Sequence, residues 1–473
     1  MYKPIICLFL FFSMLACLDQ PDQSLTYQTY CAGCHGKNLE GTTSGSALIR
    51  PEYKSESAND SISQAIREGV AGTTMIAWGK LLEAGEINGL TEYILQAQDQ
   101  SLSTSVLDTP STLVTENYQL LVEPVVASGL NTPWGIEFVT ADRILISEKT
   151  GNLRWIINGN LDPDTIKGLP ETHLMSSTGG FMDIALDPVY DQNGWIYLAY
   201  SHTNGDMEDR DALALTKVVR GRIVGMTWTD QQTLFEVPDS LMVVRGNRWG
   251  CRLLFDDEGY LYFTIGDMAQ AMDSQDPAKA TGKVFRIHPD GSIPEDNPFL
   301  DRPGALGAVY TLGNRNVQGL AIHPSTREIW STDHGPKGGD EINILRKGLN
   351  YGWPVITYGV DYTDEIISTQ THQEGMVQPV WYWTPSIGVC GAEFCSSPLF
   401  PLWENDLLVG SLVFQELHRL VVNDDQVQHT ELLIKGLGRT RDLKFSPDGS
   451  LYLVMNDPDR ILRITPQTIL HPL

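Results

Sequence analysis

Apolar positions follow two different patterns along this chain. Residues 24–98 carry helical spacing. In AGEINGLTEYILQAQ (84–98), Ile87, Leu90 and Ile94 fall on one stripe with Tyr93 beside it. SISQAIREGV (61–70) holds a second such pattern, starting at Ser61 and stopping at a glycine turn before Thr73, Thr74 and Met75. From about residue 117 the pattern changes to short runs rich in β-branched and aromatic residues, bounded by Gly, Asp and Asn. Six stand out: DRILISEKTGNLRWI, NGWIYLAYS, EGYLYFTIGD, TREIWSTDHG, NDLLVGSLVFQELHRLVV and DGSLYLVMNDPDRILRI. Their starts lie roughly 45 to 80 residues apart, which suits four-stranded blades with variable loops. A stacked sandwich also yields many strands, but one blade cannot bury both its faces alone, so a closed ring explains the repetition better. The expected fold is mainly β with a small all-α domain: a six-bladed β-propeller at 117–473, preceded by a helical domain at 18–100. Residues 101–116 are Ser/Thr-rich with no clear period and read as a linker.

Residues 1–17 read as an export signal. One Lys precedes an apolar run that ends near Cys17 and is too short to span a bilayer comfortably. Ala16-Cys17 resembles a bacterial lipoprotein cleavage site, with Cys17 as the lipidated first residue. Met14 is uncommon at its place, and a plain secretory signal is the alternative. Several acyl chains would anchor the chain firmly to a membrane. The expected location is therefore the periplasm or outer membrane of a bacterium. Composition is otherwise ordinary for a globular protein, at 42% hydrophobic and 19% charged residues. Charge is not: 59 acidic residues face 33 Lys and Arg, a net charge of -26. That balance repels phosphate backbones and argues against nucleic-acid binding. A neutral substrate, or a partner with a basic face, fits better.

Residues 31–35 read CAGCH. Zinc would need four ligands, and between residues 18 and 100 the only thiols and imidazoles are Cys31, Cys34 and His35. A thioredoxin-type dithiol calls for a βαβ setting, whereas this segment is helical. Covalent c-type haem remains, with Cys31 and Cys34 forming thioethers and His35 binding the iron. Met75 is the only methionine of this segment, so it is the expected sixth ligand. His/Met ligation raises the haem potential and suits electron transfer. Residues 24–98 resemble a small class I cytochrome c domain.

The propeller carries eight further stretches: GLNTPWGIEF (129–138), GGFMDIALDP (179–188), CRLLFDDEGYLYFTIGD (251–267), TGKVFRIHPDGSIPEDNPF (281–299), LGNRNVQGLAIHP (312–324), DHGPKGGDEINILRKGLNYGWPVITYG (333–359), YWTPSI (382–387) and RTRDLKFSPDGSLYL (439–453). Together, over about 120–467, they resemble the glucose/sorbosone dehydrogenase family, whose members oxidise sugars with pyrroloquinoline quinone (PQQ) and calcium. The resemblance implies that Arg439 and Arg441 flank the quinone and that Arg315, Asn316 and His334 contact it. A tricarboxylate favours guanidinium partners, and two residues apart on a strand these arginines would face the same way. The resemblance also implies that the backbone carbonyls of Gly335 and Pro336 ligate calcium, a hard cation that prefers oxygen. Glu341 and Tyr351 match a second, structural calcium site.

One position departs from the family in a way that bears on chemistry. The family's proton acceptor is a histidine just before Gly-x-Arg; here GNRWGCRL places Arg248 there. A guanidinium is a poor general base. Thr178 and Val413 replace a family glutamine and lysine. Asp267, Asp340 and Glu341 are alternative bases. Of the remaining thiols, Cys251 and Cys390 lie in loops of the cofactor face and are one candidate disulfide, with Cys390–Cys395 the competitor. Two functions follow: a quinoprotein dehydrogenase that oxidises an aldose or related alcohol and passes electrons through its haem to a downstream acceptor, or a haem module carrying a degenerate binding propeller.

Overall fold

The computed structural model describes residues 23–35, 39, 48, 58–69, 75–104, 110–174, 178–244 and 246–470. Cys17 and the rest of the signal segment lie outside them. The chain divides into two compact units, 1–104 and 105–473.

The first unit contains α1 (Gln23–Tyr30), α2 (Ala32–His35), α3 (Ala58–Glu68) and α4 (Ala84–Thr104). The stripe read from sequence is its core: Ile87, Leu90 and Ile94 are buried with Tyr27, Leu39, Ile62, Ile66 and Leu82. Helix α3 starts three residues before Ser61. Helix α4 begins at one half of a capping box, where the Glu86 carboxylate accepts the Glu83 N–H at 2.9 Å. It runs to Thr104, so the first part of the expected linker is helix. The stretch 99–104 contains neither Gly nor Pro, and nothing in it stops a helix already formed. No described helix is long and apolar enough to cross a membrane.

The second unit is a six-bladed β-propeller. Its sheets are each four strands deep, two of them with an added fifth strand. The first strands of the blades are Pro133–Thr140, Phe181–Leu186, Leu253–Phe255, Val317–Ile322, Val389–Phe394 and Arg439–Phe445. Each touches the first strand of the next blade, and the sixth returns to the first, which closes the ring. The runs singled out in the sequence each hold all or most of a second strand: Arg143–Glu148, Ile196–Thr203, Leu261–Ile265, Ile329–Asp333, Leu407–Ser411 and Leu451–Asn456. Core clusters sit between blades; Tyr197 and Val218 of the second pack on Phe263 and Phe285 of the third.

The sixth blade is built from both parts of the unit. Arg460–Ile469 pairs with Tyr118–Val126, in register from Tyr118↔Ile469 to Val126↔Ile461. Ser111–Val114 adds an outer strand to it. Residues 111–114 therefore belong to the propeller and not to a linker. Four residues with alternating partial burial are too few to show a period in sequence.

Antiparallel pairing puts the start of every first strand beside the end of every second strand. One rim of the propeller thus collects Gly250, Asn316 and Arg439, which open first strands, with Lys149, Asp267, His334 and Val413, which follow second strands.

Candidate cofactor face of the propeller

Arg315 and His334 stand on this rim, before a first strand and after a second one. Asp333, the last residue of a second strand, accepts the backbone N–H groups of Arg315 at 3.0 Å and Asn316 at 2.6 Å. That clamp fixes the turn from which both side chains project. Burial pushes the Asp333 carboxyl up to about 6 against those two N–H groups. The Arg315 guanidinium donates to the carbonyls of His334 at 2.9 Å and Gly335 at 2.7 Å, and its Nε is buried without a partner. Its Cζ lies 5.1 Å from the Trp353 ring and 6.0 Å from Tyr362. Asn316 Nδ2 and His334 Nδ1 are 3.2 Å apart. Burial, then the charges of Arg315 and Arg441, push His334 down to about 3, so its imidazole is neutral at ordinary pH.

Arg441 donates through Nε to Asn456 Oδ1 at 3.1 Å and lies over Trp134, with Cζ 4.1 Å from the ring. Strict alternation with Arg439 is broken by a register shift between Thr440 and Asp442. Arg439 and Arg441 still act on the same His334. Neither Arg315 nor Arg441 has a carboxylate within ion-pair distance among the described residues, and Arg439 has only Asp457, at 3.9 Å. In a chain with 59 acidic side chains, this cationic cluster without bonded anions marks a place for an anionic ligand.

Arg248 is committed elsewhere. Its Nε and Nη2 donate to Asp267 Oδ1 and Oδ2 at 2.6 and 3.3 Å. Asp267 also accepts from Trp353 Nε1 at 2.8 Å and Ala269 N at 3.0 Å. Asp340 is filled by backbone N–H groups of Gly335, Gly388 and Val389. Both carboxylates are thus engaged on several sides as structural acceptors. Glu341 is different: burial pushes it up to about 8, and Asn343 donates to one of its oxygens at 3.0 Å. It lines a small cavity with Gly313, Asp333, Tyr351 and Thr357. The Tyr351 hydroxyl donates away from that cavity, to Ile344 O at 2.6 Å.

Gly335 must be glycine, because a Cβ would come within 2.3 and 2.4 Å of the Gly338 and Gly339 carbonyl oxygens. Its own carbonyl, expected to bind calcium, is engaged by Arg315. Among the described residues no three carboxylate, imidazole or thiol side chains gather as a metal site. Thr178 and Val413 are exposed. Neither expected disulfide is formed: Cys251, Cys390 and Cys395 are separate buried thiols. Cys390 Sγ lies 3.0 Å from Arg441 O and Cys395 Sγ 3.8 Å from Phe400 O. Cys390 lies in the extended strand Val389–Phe394 and Cys395 just past its end, so at roughly 3.3 Å per residue the two stand too far apart to be bridged.

In the helical unit, His35 closes α2, and its N–H bonds to Cys31 O at 2.9 Å. Cys31 and Met75 pack, partly buried, against the same apolar cluster. The Cys34 side chain lies outside the described ones. Sequence reading missed the aromatic surfaces under and over the arginines, Trp134, Trp353 and Tyr362. It also stopped the HGP stretch at Gly359, two residues short of Asp361 and Tyr362.

A ring of six blades with an arginine-rich rim defines the class of scaffold, a six-bladed β-propeller. Residues 130–463 match the Glucose / Sorbosone dehydrogenase family, and the chain belongs to it. Residues 23–94 match the family described as cytochrome c oxidase, cbb3-type, subunit III, and form an N-terminal cytochrome c domain. The chain is 35% identical to the aldose sugar dehydrogenase YliI of Escherichia coli (strain K12), over 77% of this chain and 96% of that one. The apo crystal structure of the soluble E. coli aldose sugar dehydrogenase superposes with TM-score 0.69 at 34% identity, covering 74% of this chain and all of that one (100%). A PQQ-bound aldose sugar dehydrogenase from Streptomyces coelicolor shares the fold, with TM-score 0.55 at 23% identity over 76% of this chain and 98% of that one.

Proposed function

We propose that this chain is an exported quinoprotein oxidoreductase that oxidises an aldose or related alcohol with PQQ and delivers the electrons to its own covalent haem. The observation that carries this reading is the cluster of Arg315, Arg439 and Arg441 around His334, without closely bonded carboxylates, in a strongly acidic chain. The orphaned, buried Nε of Arg315 is the kind of donor that a carboxylated ligand would satisfy. Trp134 and Trp353 offer apolar surface beside the guanidinium groups. A bound quinone would supply the two-electron acceptor. The chain's own part is to hold that acid with Arg315, Arg439, Arg441 and Asn316, to keep His334 neutral beside it, and to take the hydroxyl proton of the substrate. Calcium on the carbonyls of Gly335 and Pro336 fits less well, since Arg315 already uses one of them, and no step is assigned to it.

The haem reading is supported by CAGCH, whose last four residues form α2, and by Met75 and Cys31 on one apolar cluster. Cys31 and Cys34 would hold the porphyrin, and His35 and Met75 the iron. The cofactors of this reading are haem c and PQQ, with calcium, which the family resemblance implies, the least well supported of the three. Its partners are a sugar or alcohol, a downstream electron acceptor and, through Cys17, a membrane. One observation favours the second reading, a haem module with a degenerate propeller: Arg248 occupies the base position and is bound to Asp267.

The test is anaerobic. The haem-loaded chain, given PQQ and calcium, is mixed with a panel of aldoses while the visible spectrum of the haem is followed. Sugar-dependent reduction that requires the quinone supports the dehydrogenase. A haem that dithionite reduces but no sugar does would favour the degenerate propeller.

A further inference from the structure

A dehydrogenase of this kind needs a proton acceptor beside the substrate hydroxyl, and residue 248 is a guanidinium. Asp267 and Asp340 are engaged by several donors each, as described. A strap over the rim supplies another carboxylate. Residues 357–370 leave the body and return to it, with Thr357 N donating to Gln370 O at 3.1 Å. The strap is pinned to the HGP segment: Lys337 N donates to Val360 O at 2.9 Å, and Lys337 pairs with Asp364. Gly359 sits so close that a Cβ would meet Gly338 O at 2.1 Å. Tyr362, 66% exposed, stands over Arg315.

Asp361 lies between these anchors. Its Oδ1 accepts from Thr363 N and Oγ1, both at 3.1 Å, and its N–H donates to Glu365 O at 2.8 Å. No described donor reaches Oδ2. The Thr363 bonds come first, and the charges of Arg248 and Arg315 add to them, in holding this carboxyl below its ordinary range. The charged groups around it are Arg248 with its partner Asp267, Arg315, Glu365, and Asp364 paired with Lys337. It is thus an ionised, partly exposed carboxylate at the mouth of the arginine-rich rim, with one oxygen open.

We propose that Asp361 Oδ2 is the proton acceptor of the oxidation, standing in for the imidazole that residue 248 lacks. The assignment rests on the quinoprotein reading above. In the step, the substrate O–H bond breaks and its proton passes to Asp361 Oδ2. The C–H bond breaks and its hydrogen leaves with the electron pair to the bound quinone. A C=O bond forms, so the alcohol is oxidised by two electrons and the quinone reduced by two. The proton then leaves to water from an exposed group. The Thr363 bonds, with the charges of Arg248 and Arg315 behind them, favour the ionised carboxylate.

The experiment uses the full haem-loaded chain with PQQ and calcium, as wild type, Asp361→Asn, Arg248→His and the double variant. Quinone affinity is read from tryptophan fluorescence, separately from turnover. Asp361→Asn should lower kcat by at least about 100-fold and leave the quinone Kd within about threefold. The wild-type rate should be flat through neutral pH and fall only below the ordinary aspartate range. Arg248→His in the Asp361→Asn background should restore turnover, with an acid limb near about pH 6.5. Asp361→Asn turning over like wild type, an equal loss of quinone affinity, or a wild-type limb near neutrality would each overturn the assignment while the quinoprotein reading stands. A wild type that binds no quinone would remove both.

Discussion

At the level of single residues, the cofactor face sets Arg315 and Arg441 without a carboxylate in ion-pair distance among the described residues, while Arg248 is paired with Asp267. Arg315 shows the logic: two backbone carbonyls take its Nη1, its Nε has no partner among the described residues, and two aromatic rings lie near it. Replacing it should cost a charge-assisted bond to the ligand. Arg315→Ala is expected to raise the quinone Kd by about 10- to 100-fold. Arg327→Ala, which removes an exposed pair with Asp257, should leave it unchanged. Fluorescence titration of both variants checks this, and equal effects would mean that Arg315 does not bind the cofactor. Met75 is the matching case in the helical unit. A sulfur on the sixth position raises the haem potential. Met75→Ala should lower the midpoint potential in a redox titration, and an unchanged potential would remove Met75 from the iron.

At the level of elements, what the sequence revealed follows from how long each pattern runs. The second strands were legible because they are buried on both faces and bounded by Gly and Asp turns, as in EGYLYFTIGD. The helical stripe of α4 was legible because Ile87, Leu90 and Ile94 are nearly fully buried. Ser111–Val114 was not, since four residues of alternating partial burial are too few to show a period, although their partner strand follows directly in the sequence. The arginines could be named from the resemblance, but the bulge between Thr440 and Asp442 and the pairing of Arg248 with Asp267 are long-range outcomes. The first strands also carry a buried ionic column: Arg252 with Asp183 and Asp442 at 3.3 and 3.0 Å, and Lys444 with Glu137 beside Glu393. Burial pushes Glu393 up to about 7, ahead of the lowering by Lys444. An unfolded glutamate titrates near about 4.3. Ionising Glu393 in the fold therefore costs stability as pH rises between those values, and the full cost stands above about 7. Glu393→Gln should raise Tm little near about pH 4.5 and clearly near about pH 8. Thermal melts at both values decide it, and a gain that is larger in acid would contradict the assignment.

At the level of the whole molecule, the question is why one chain carries both units. A two-electron oxidation at the propeller and a one-electron haem must exchange electrons one at a time. Two separate proteins would meet by diffusion, and the transfer would slow in proportion as both were diluted. Joining them makes the encounter intramolecular, at an effective concentration set by the connecting segment and independent of how much protein is present. In this chain that segment is short. Helix α4 ends at Thr104 and the outer strand of the sixth blade begins at Ser111, which leaves six residues, 105–110, between them. The negative charge adds a second reason, because both parts of the chain are acidic, the second far more than the first, and as separate proteins would repel each other at low salt. If the chain is its own first electron acceptor, haem reduction after mixing with sugar should be first order in the loaded protein. Its rate constant should hold through about tenfold dilution and vary little with ionic strength. Stopped-flow absorbance of the haem measures both. A rate constant that falls with dilution and rises with salt would mean that electrons pass between chains.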